Sequence, residues 1–262
     1  MAERSVAAVA GVEGLEAQHG PLFVVIGVFD GIHRGHQYLL ERLVAEARGR
    51  GAKPAVITFD SHPDEILVGA APPLLLDQGE RLRLLGEAGV DIVVVQHFDE
   101  ALRRTEYDDF VHRITSRTSL AGILMTPDAA FGHERRGTPE TVAAVGASDG
   151  FEVVVIPPFT IDGRSVRSSD IRAAIAAGDL GTAEELLGRP YAVTGEASEI
   201  GVSRVAMAFH MPVALPPAGE REVTIEWPDG RQPWPAVAII GDDGSVTLAT
   251  IPFDGNARIV FR

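Results

Sequence analysis

The sequence predicts an α/β fold, a doubly wound parallel five-stranded sheet followed by a small all-β domain, and three observations predict it. Short apolar, β-branched runs alternate with helix-patterned segments over the first two thirds of the chain. Glycine and polar residues gather just after those runs. Beyond residue 188 the helical texture gives way to short β-like pieces between Pro- and Gly-rich turns. Strands separated by helices of about ten or more residues imply parallel pairing through right-handed crossovers. Residues 1–188 are therefore expected to form one domain and residues 189–262 a second.

Residues 5–15 are weakly apolar and suit either an edge strand or a short helix. Residues 23–28 have the density of a strand buried on both faces, while Tyr38, Leu39, Leu40, Leu43 and Val44 recur at helical spacing. Between them lies Gly27-Val28-Phe29-Asp30-Gly31-Ile32-His33-Arg34-Gly35-His36, at the carboxyl end of a parallel strand. Ligands of open α/β sheets bind at such ends, and the unpaired N–H groups of the helix start attract phosphate. His33 and His36 would add two imidazole donors without permanent charge, a grip suited to a triphosphate. A plain glycine-rich turn with two exposed histidines is the competing reading. Asp30 is read as a cap holding the loop, in preference to a group that orients a histidine.

Residues 54–59 supply a second strand, ending in Asp60-Ser61-His62-Pro63. A helix over 78–89, a third strand over 90–96, a helix over 107–117 and a fourth strand over 122–125 follow. Thr138 and Pro139 form an N-cap and first-turn proline, and residues 153–156 make the fifth strand before Pro157-Pro158. A second helix start falls at Arg167-Ser168-Ser169-Asp170-Ile171-Arg172, with the serines as natural N-caps. Capping alone would explain those serines. His19, His97, His112, His133 and His210 are read as surface or structural.

Composition narrows the function. The formal charge of −14, with 37 acidic against 23 basic residues, argues against neutralising a nucleic-acid backbone. With no cysteine there is no disulfide framework, thiolate zinc site or cysteine nucleophile. The N-terminal alanine/valine run, broken by Gly11, is too short for a signal peptide or membrane span, so a cytoplasmic protein without a membrane partner is expected.

Five motifs together resemble one family, the bacterial bifunctional riboflavin kinase/FMN adenylyltransferases, also called FAD synthetases. They are the 27–36 segment above; Thr58-Phe59-Asp60-Ser61-His62-Pro63; Asp128-Ala129-Ala130-Phe131-Gly132 with Arg135 and Gly137; Ser168-Ser169-Asp170-Ile171-Arg172; and Leu187-Gly188-Arg189-Pro190-Tyr191. The resemblance implies an H-x-G-H nucleotidyltransferase domain that joins the AMP of ATP to FMN with Mg²⁺, releasing pyrophosphate. It makes His33, His36 and Arg172 catalytic. Gly27, Phe29, Asp30, Gly31, Gly35, Ser168 and Ser169 become nucleotide-binding, and Phe59, His62, Pro63, Asp128 and Phe131 acceptor-binding, with no protein metal ligand assigned. The two histidines and Arg172, from separate helix starts, are expected to converge on one polyphosphate.

There are departures. Ser61 replaces a proline common in the family, and Ala129 stands where an aromatic is usual on the flavin side. The Pro-Thr-Ala-Asn segment of the family's kinase barrel is absent between Tyr191 and Arg262, and the tail is short for a complete kinase barrel. The β domain is therefore read as a reduced, non-catalytic relic. Another phosphorylated acceptor, CTP in place of ATP, or a flavin- or nucleotide-binding protein without catalysis remain the alternatives.

Overall fold

The structure, a computed structural model, describes residues 6–250 and 253–262. By its contacts the chain divides into two compact units, one of Met1–Ala71 with Leu82–Ser165, the other of Pro72–Arg81 with Val166–Arg262.

In the first unit the chain runs β1 (Ala7–Ala10), β2 (Leu22–Ile26), α1 (Arg34–Gly49), β3 (Lys53–Phe59), α2 (Asp64–Leu67), α3 (Gln78–Glu87, whose first four residues are assigned to the second unit), β4 (Ile92–Gln96), α4 (Glu100–Arg103), α5 (Tyr107–Thr115), β5 (Leu120–Met125), α6 (Pro139–Asp149) and β6 (Glu152–Val155). A two-stranded ribbon of β7 (Thr160–Ile161) and β8 (Arg164–Ser165) ends it. The sheet is parallel and doubly wound as expected, but it has six strands, in the order β1-β4-β3-β2-β5-β6. The additional strand is β1, the edge strand among the two possibilities for that segment; Ser5 lies outside the described residues. Only Val9 of its four residues is buried. The 3₁₀ turn that follows is tied to the sheet where the Val12 N–H donates to Gln96 Oε1 at 2.9 Å.

Helix α1 forms because its apolar residues return every three or four positions, and it buries Leu40, Leu43 and Ala47. Full burial of each leucine contributes about 1.5–3 kcal/mol. The carboxyl ends of β2 and β5 are adjacent, and it is between them that the chain reverses the direction in which it adds strands. A ligand crevice is expected at such a switch point.

The second unit holds α7 (Ser168–Ala176), α8 (Leu180–Leu187) and six strands, β9 (Ala192–Gly201), β10 (Arg204–Ala208), β11 (Gly219–Glu226), β12 (Trp234–Ile240), β13 (Val246–Ala249) and β14 (Gly255–Phe261). They close into an antiparallel barrel, β10-β13-β12-β11-β14-β9. The small all-β domain expected after residue 188 thus closes on itself. The strand that completes it, β9, is half polar, with Glu196, Ser198 and Glu199 exposed. Its inner positions include Gly195, where a Cβ would stand 2.6 Å from Ala208 O and 2.9 Å from the Phe209 ring. Glycine is required there by close approach of the neighbouring chain.

Candidate active site

The loop after β2 is built under strain. Phe29 and Ile32 have φ of +53° and +40°, left-handed values that bulky side chains rarely adopt, while Gly31 takes +86° at no steric cost. Each such residue costs about 1–3 kcal/mol. Burial of both side chains, 1% and 2% exposed, holds them there. Three hydrogen bonds fix the path: Gly27 N–H to Ile57 O (3.0 Å), Thr58 Oγ1 to Val28 O (3.0 Å) and Gln37 Nε2 to Ile32 O (2.9 Å).

His33 is the N-cap of α1, its Nδ1 accepting the His36 N–H at 3.2 Å. The helix N-cap is His33; Asp30 lies three residues earlier in the loop, 5% exposed. An Nδ1 that accepts leaves the ring proton on Nε2, so His33 presents a fixed tautomer. The His33 and His36 rings stack with centroids 3.7 Å apart and planes 16° apart, and Phe29 packs on His36 at 5.0 Å. Arg34 lies over the Phe159 ring at 5.4 Å.

A cavity of about 630 Å³ opens over the carboxyl ends of β2, β3, β4 and β5. Its volume suits a ligand of drug or cofactor size. Of the five expected acceptor residues, Phe59, His62, Pro63 and Phe131 line it. Asp128 does not line it: its side chain is exposed and accepts from Thr126 Oγ1 at 2.8 Å.

Phe98 and Phe110 complete an aromatic wall, in edge contacts with Phe59 (5.3 Å) and Phe131 (6.2 Å) respectively. These two, with Leu102, Arg103, His133 and Arg135, are cavity residues that the sequence reading did not assign to the site. Phe98 follows a strand end as Phe59 does, and that position was the available signal. The polar lining is His62, whose Nδ1 accepts the Asp64 N–H at 3.2 Å, with Asp64, Arg103, Thr105, His133, Glu134 and Arg135. His133 therefore belongs to the cavity, whereas it was read as surface or structural.

Asp60 pins part of this wall. Its Oδ2 lies 2.6 Å from His97 Nδ1 and its Oδ1 accepts the Phe98 N–H at 3.2 Å. Partial burial pushes the carboxyl up, but the bonds from His97 and Phe98 outweigh it and hold Asp60 below its ordinary value. The same bond raises His97 above the ordinary imidazole value. A raised imidazole stabilises while protonated, fully below about pH 6.5, and loses that contribution as the pH rises through its shifted pKa. A lowered carboxyl contributes above about pH 3.9 and loses its share as the pH falls. The pair is thus strongest between about pH 4 and 6.5. An NMR titration of His97 is expected to show a midpoint above that of the Asp60→Asn variant; equal midpoints would remove the pair as an anchor for Phe98.

Arg172, Ser168 and Ser169 sit in the second unit, on α7. The helix begins one residue earlier than the motif suggested: Arg167 is the N-cap, without a side-chain cap bond, and the serines occupy the first turn. This corrects their reading as N-caps. The Arg172 Nε donates to Pro73 O at 2.8 Å.

Among the described residues no three side chains of metal-binding type cluster, and no helix is long and apolar enough to cross a membrane.

The FAD synthetase family model matches residues 15–170, well over half the chain. The chain belongs to the FAD synthetase family. As a member it is an enzyme of the nucleotidyltransferase class. It is similar to the bifunctional riboflavin kinase/FMN adenylyltransferase of Pseudomonas fluorescens, 32% identical over 260 residues, which covers 96% of this chain and 81% of that protein. The proteins of the same name from Haemophilus influenzae and Escherichia coli K12 are 33% identical over 174 residues, 66% of this chain and 56% of theirs. Among solved structures, a macrolide-efflux protein from Streptococcus pneumoniae superposes with a TM-score of 0.82 at 22% identity, covering 98% of this chain and 89% of that one. At that identity the likeness concerns the fold alone, which it supports across both units.

Proposed function

We propose that this FAD synthetase family member is an FMN adenylyltransferase that transfers AMP from ATP to FMN, releases pyrophosphate, and has no riboflavin kinase activity. The observation that carries the reading is the cavity: four phenylalanines wall it, and Gly27 and Val28, which line it, lead directly into the loop bearing His33 and His36. A flat aromatic acceptor suits such walls. Phe98 and Phe110 supply aromatic surface that Ala129 does not.

The attacking group would be a phosphate oxygen of the acceptor, already anionic at neutral pH, so little proton chemistry is required. The barrier is alignment and charge. His33, by its Nε2 proton, and His36 are proposed to donate to phosphate oxygens of ATP as charge builds on the α-phosphate, together with the N–H groups that open α1. Gly27, Phe29, Asp30, Gly31 and Gly35 shape that loop. Arg172, with Ser168 and Ser169, is assigned to the β- and γ-phosphates, where a guanidinium can bind two oxygens. Phe59, His62, Pro63 and Phe131 are assigned to the acceptor, and Asp128 is retained only as a rim residue.

Mg²⁺ is proposed to accompany ATP. The residues present suit an ion that arrives on the polyphosphate, held by phosphate oxygens and water without a resident cage. It would neutralise phosphate charge. The acidic chain and its small-molecule cavity keep nucleic acid and membrane out of this reading, and a cytoplasmic setting goes with it.

Two measurements test it. Pyrophosphate release with ATP, Mg²⁺ and a panel of phosphorylated acceptors should respond to FMN and yield FAD; a faster response to another acceptor would overturn the assignment. Incubation with riboflavin, ATP and Mg²⁺ should yield no FMN, in keeping with the missing Pro-Thr-Ala-Asn segment, and FMN formed there would restore the kinase.

A further inference from the structure

The second unit contains a fastening that its missing kinase motif does not explain. Residues 72–81 belong to it as a strap remote in sequence from the rest of the unit. At one end of the strap, Leu74 N–H donates to Pro212 O at 2.8 Å and Leu74 O accepts the Ala214 N–H at 2.9 Å, a parallel bridge to the β10–β11 connection. That connection is clamped from behind by the buried Tyr191 hydroxyl, which donates to Ala214 O at 2.6 Å. At the other end the buried Glu80 takes Arg258 Nε of β14 at 3.1 Å, and Arg258 also pairs with Glu226 of β11. Immediately before the first anchor, Pro73 presents its carbonyl to Arg172 Nε at 2.8 Å.

The Nε–H lies in the plane of the guanidinium, so a bond from Nε fixes that plane; turning the group about its last side-chain torsion would break it. A guanidinium with its plane already set loses less entropy on forming a two-point contact with phosphate oxygens. Small displacements of such a group are costly to a reaction that depends on alignment. Proline at 72 and 73 stiffens the strap at the place where the carbonyl must be held.

We propose that the barrel unit serves the transferase reaction as a scaffold: through the strap it sets the orientation of Arg172, with Glu80 and Tyr191 as positioning residues. This rests on the reading that Arg172 engages the phosphates of ATP. It gives the barrel a role that does not depend on kinase activity.

A double-mutant cycle in the full-length protein tests it. Glu80→Gln and Tyr191→Phe, each checked for folding by circular dichroism, should lower kcat/KM for ATP about tenfold and leave flavin binding, read by fluorescence quenching, unchanged. In an Arg172→Lys background, which lacks Nε, neither substitution should reduce kcat/KM further. Losses that multiply in that background, or no loss with Arg172 present, would overturn the scaffold role alone. Full activity of Arg172→Lys itself would overturn the assignment of Arg172, and the scaffold role with it. Tyr191→Phe, which removes a single hydroxyl, provides the answer should Glu80→Gln fail to fold.

Discussion

His36→Ala is expected to lower the turnover number for pyrophosphate release by about 10²–10³-fold, the usual loss on removing one donor to a transition state. ATP affinity should move far less, within about threefold, since such a contact strengthens as charge develops. The geometry makes His36 a cleaner probe than its partner. His33 caps α1 through Nδ1, so His33→Ala would also remove a cap worth about 0.5–2 kcal/mol and loosen the helix start. His36 makes no cap with its ring; it stacks on His33 at 3.7 Å and touches Phe29. Alanine there takes away the ring while the cap, which uses the His36 backbone N–H, survives. Steady-state kinetics with a pyrophosphate-coupled readout, alongside calorimetry with a non-hydrolysable ATP analogue, separates the two effects. Turnover that stays unchanged would take the imidazole pair out of the chemistry.

Gly132→Ala should be the most damaging of the small substitutions at the cavity. Gly132 has φ of +76°, and a Cβ there would stand 2.7 Å from Tyr107 N and 2.8 Å from its Cα, backbone atoms that cannot swing aside. Left-handed strain and overpacking together cost about 3 kcal/mol. For a chain of this size that corresponds to a fall in Tm of about 6–12 °C. Because the same turn carries Phe131 into the cavity wall, flavin binding should weaken at least about tenfold, some 1.4 kcal/mol. Gly69→Ala is the control: φ is +83°, but nothing lies within 4 Å of the added carbon, so only the conformational part of the cost remains. A thermal melt and a flavin titration on both variants decide the matter. Equal melting temperatures would show that the turn yields where the close approach to Tyr107 says it cannot.

Much of the first unit was legible because buried parallel strands write themselves as unbroken apolar runs. Residues 23–28 and 54–59 could hardly be anything else between helix-patterned segments. The edge strand β1 was open to two readings for the converse reason: with one inward residue it carries almost no pattern. The tail was harder still. In a small closed barrel the half of each strand that faces solvent is free to be polar, so β9 with its glutamates and serine gave no strand signal.

Sequence alone therefore settled the alternation of strands β2 to β6 with the longer helices between them, the loop that bears two histidines at a helix start, and the kinship that its motifs announce, since each depends on neighbours along the chain. Only the tertiary structure decided that His33 caps the helix, that Phe98, Phe110 and His133 share a cavity with Phe59 and Phe131, that Asp128 does not line it, and that a proline carbonyl 99 positions away holds Arg172. For the cavity and for Arg172 the physical reason is common. Side-chain direction and contact between distant segments are set by how the loops at the strand ends fold over one another, and no local spacing encodes that.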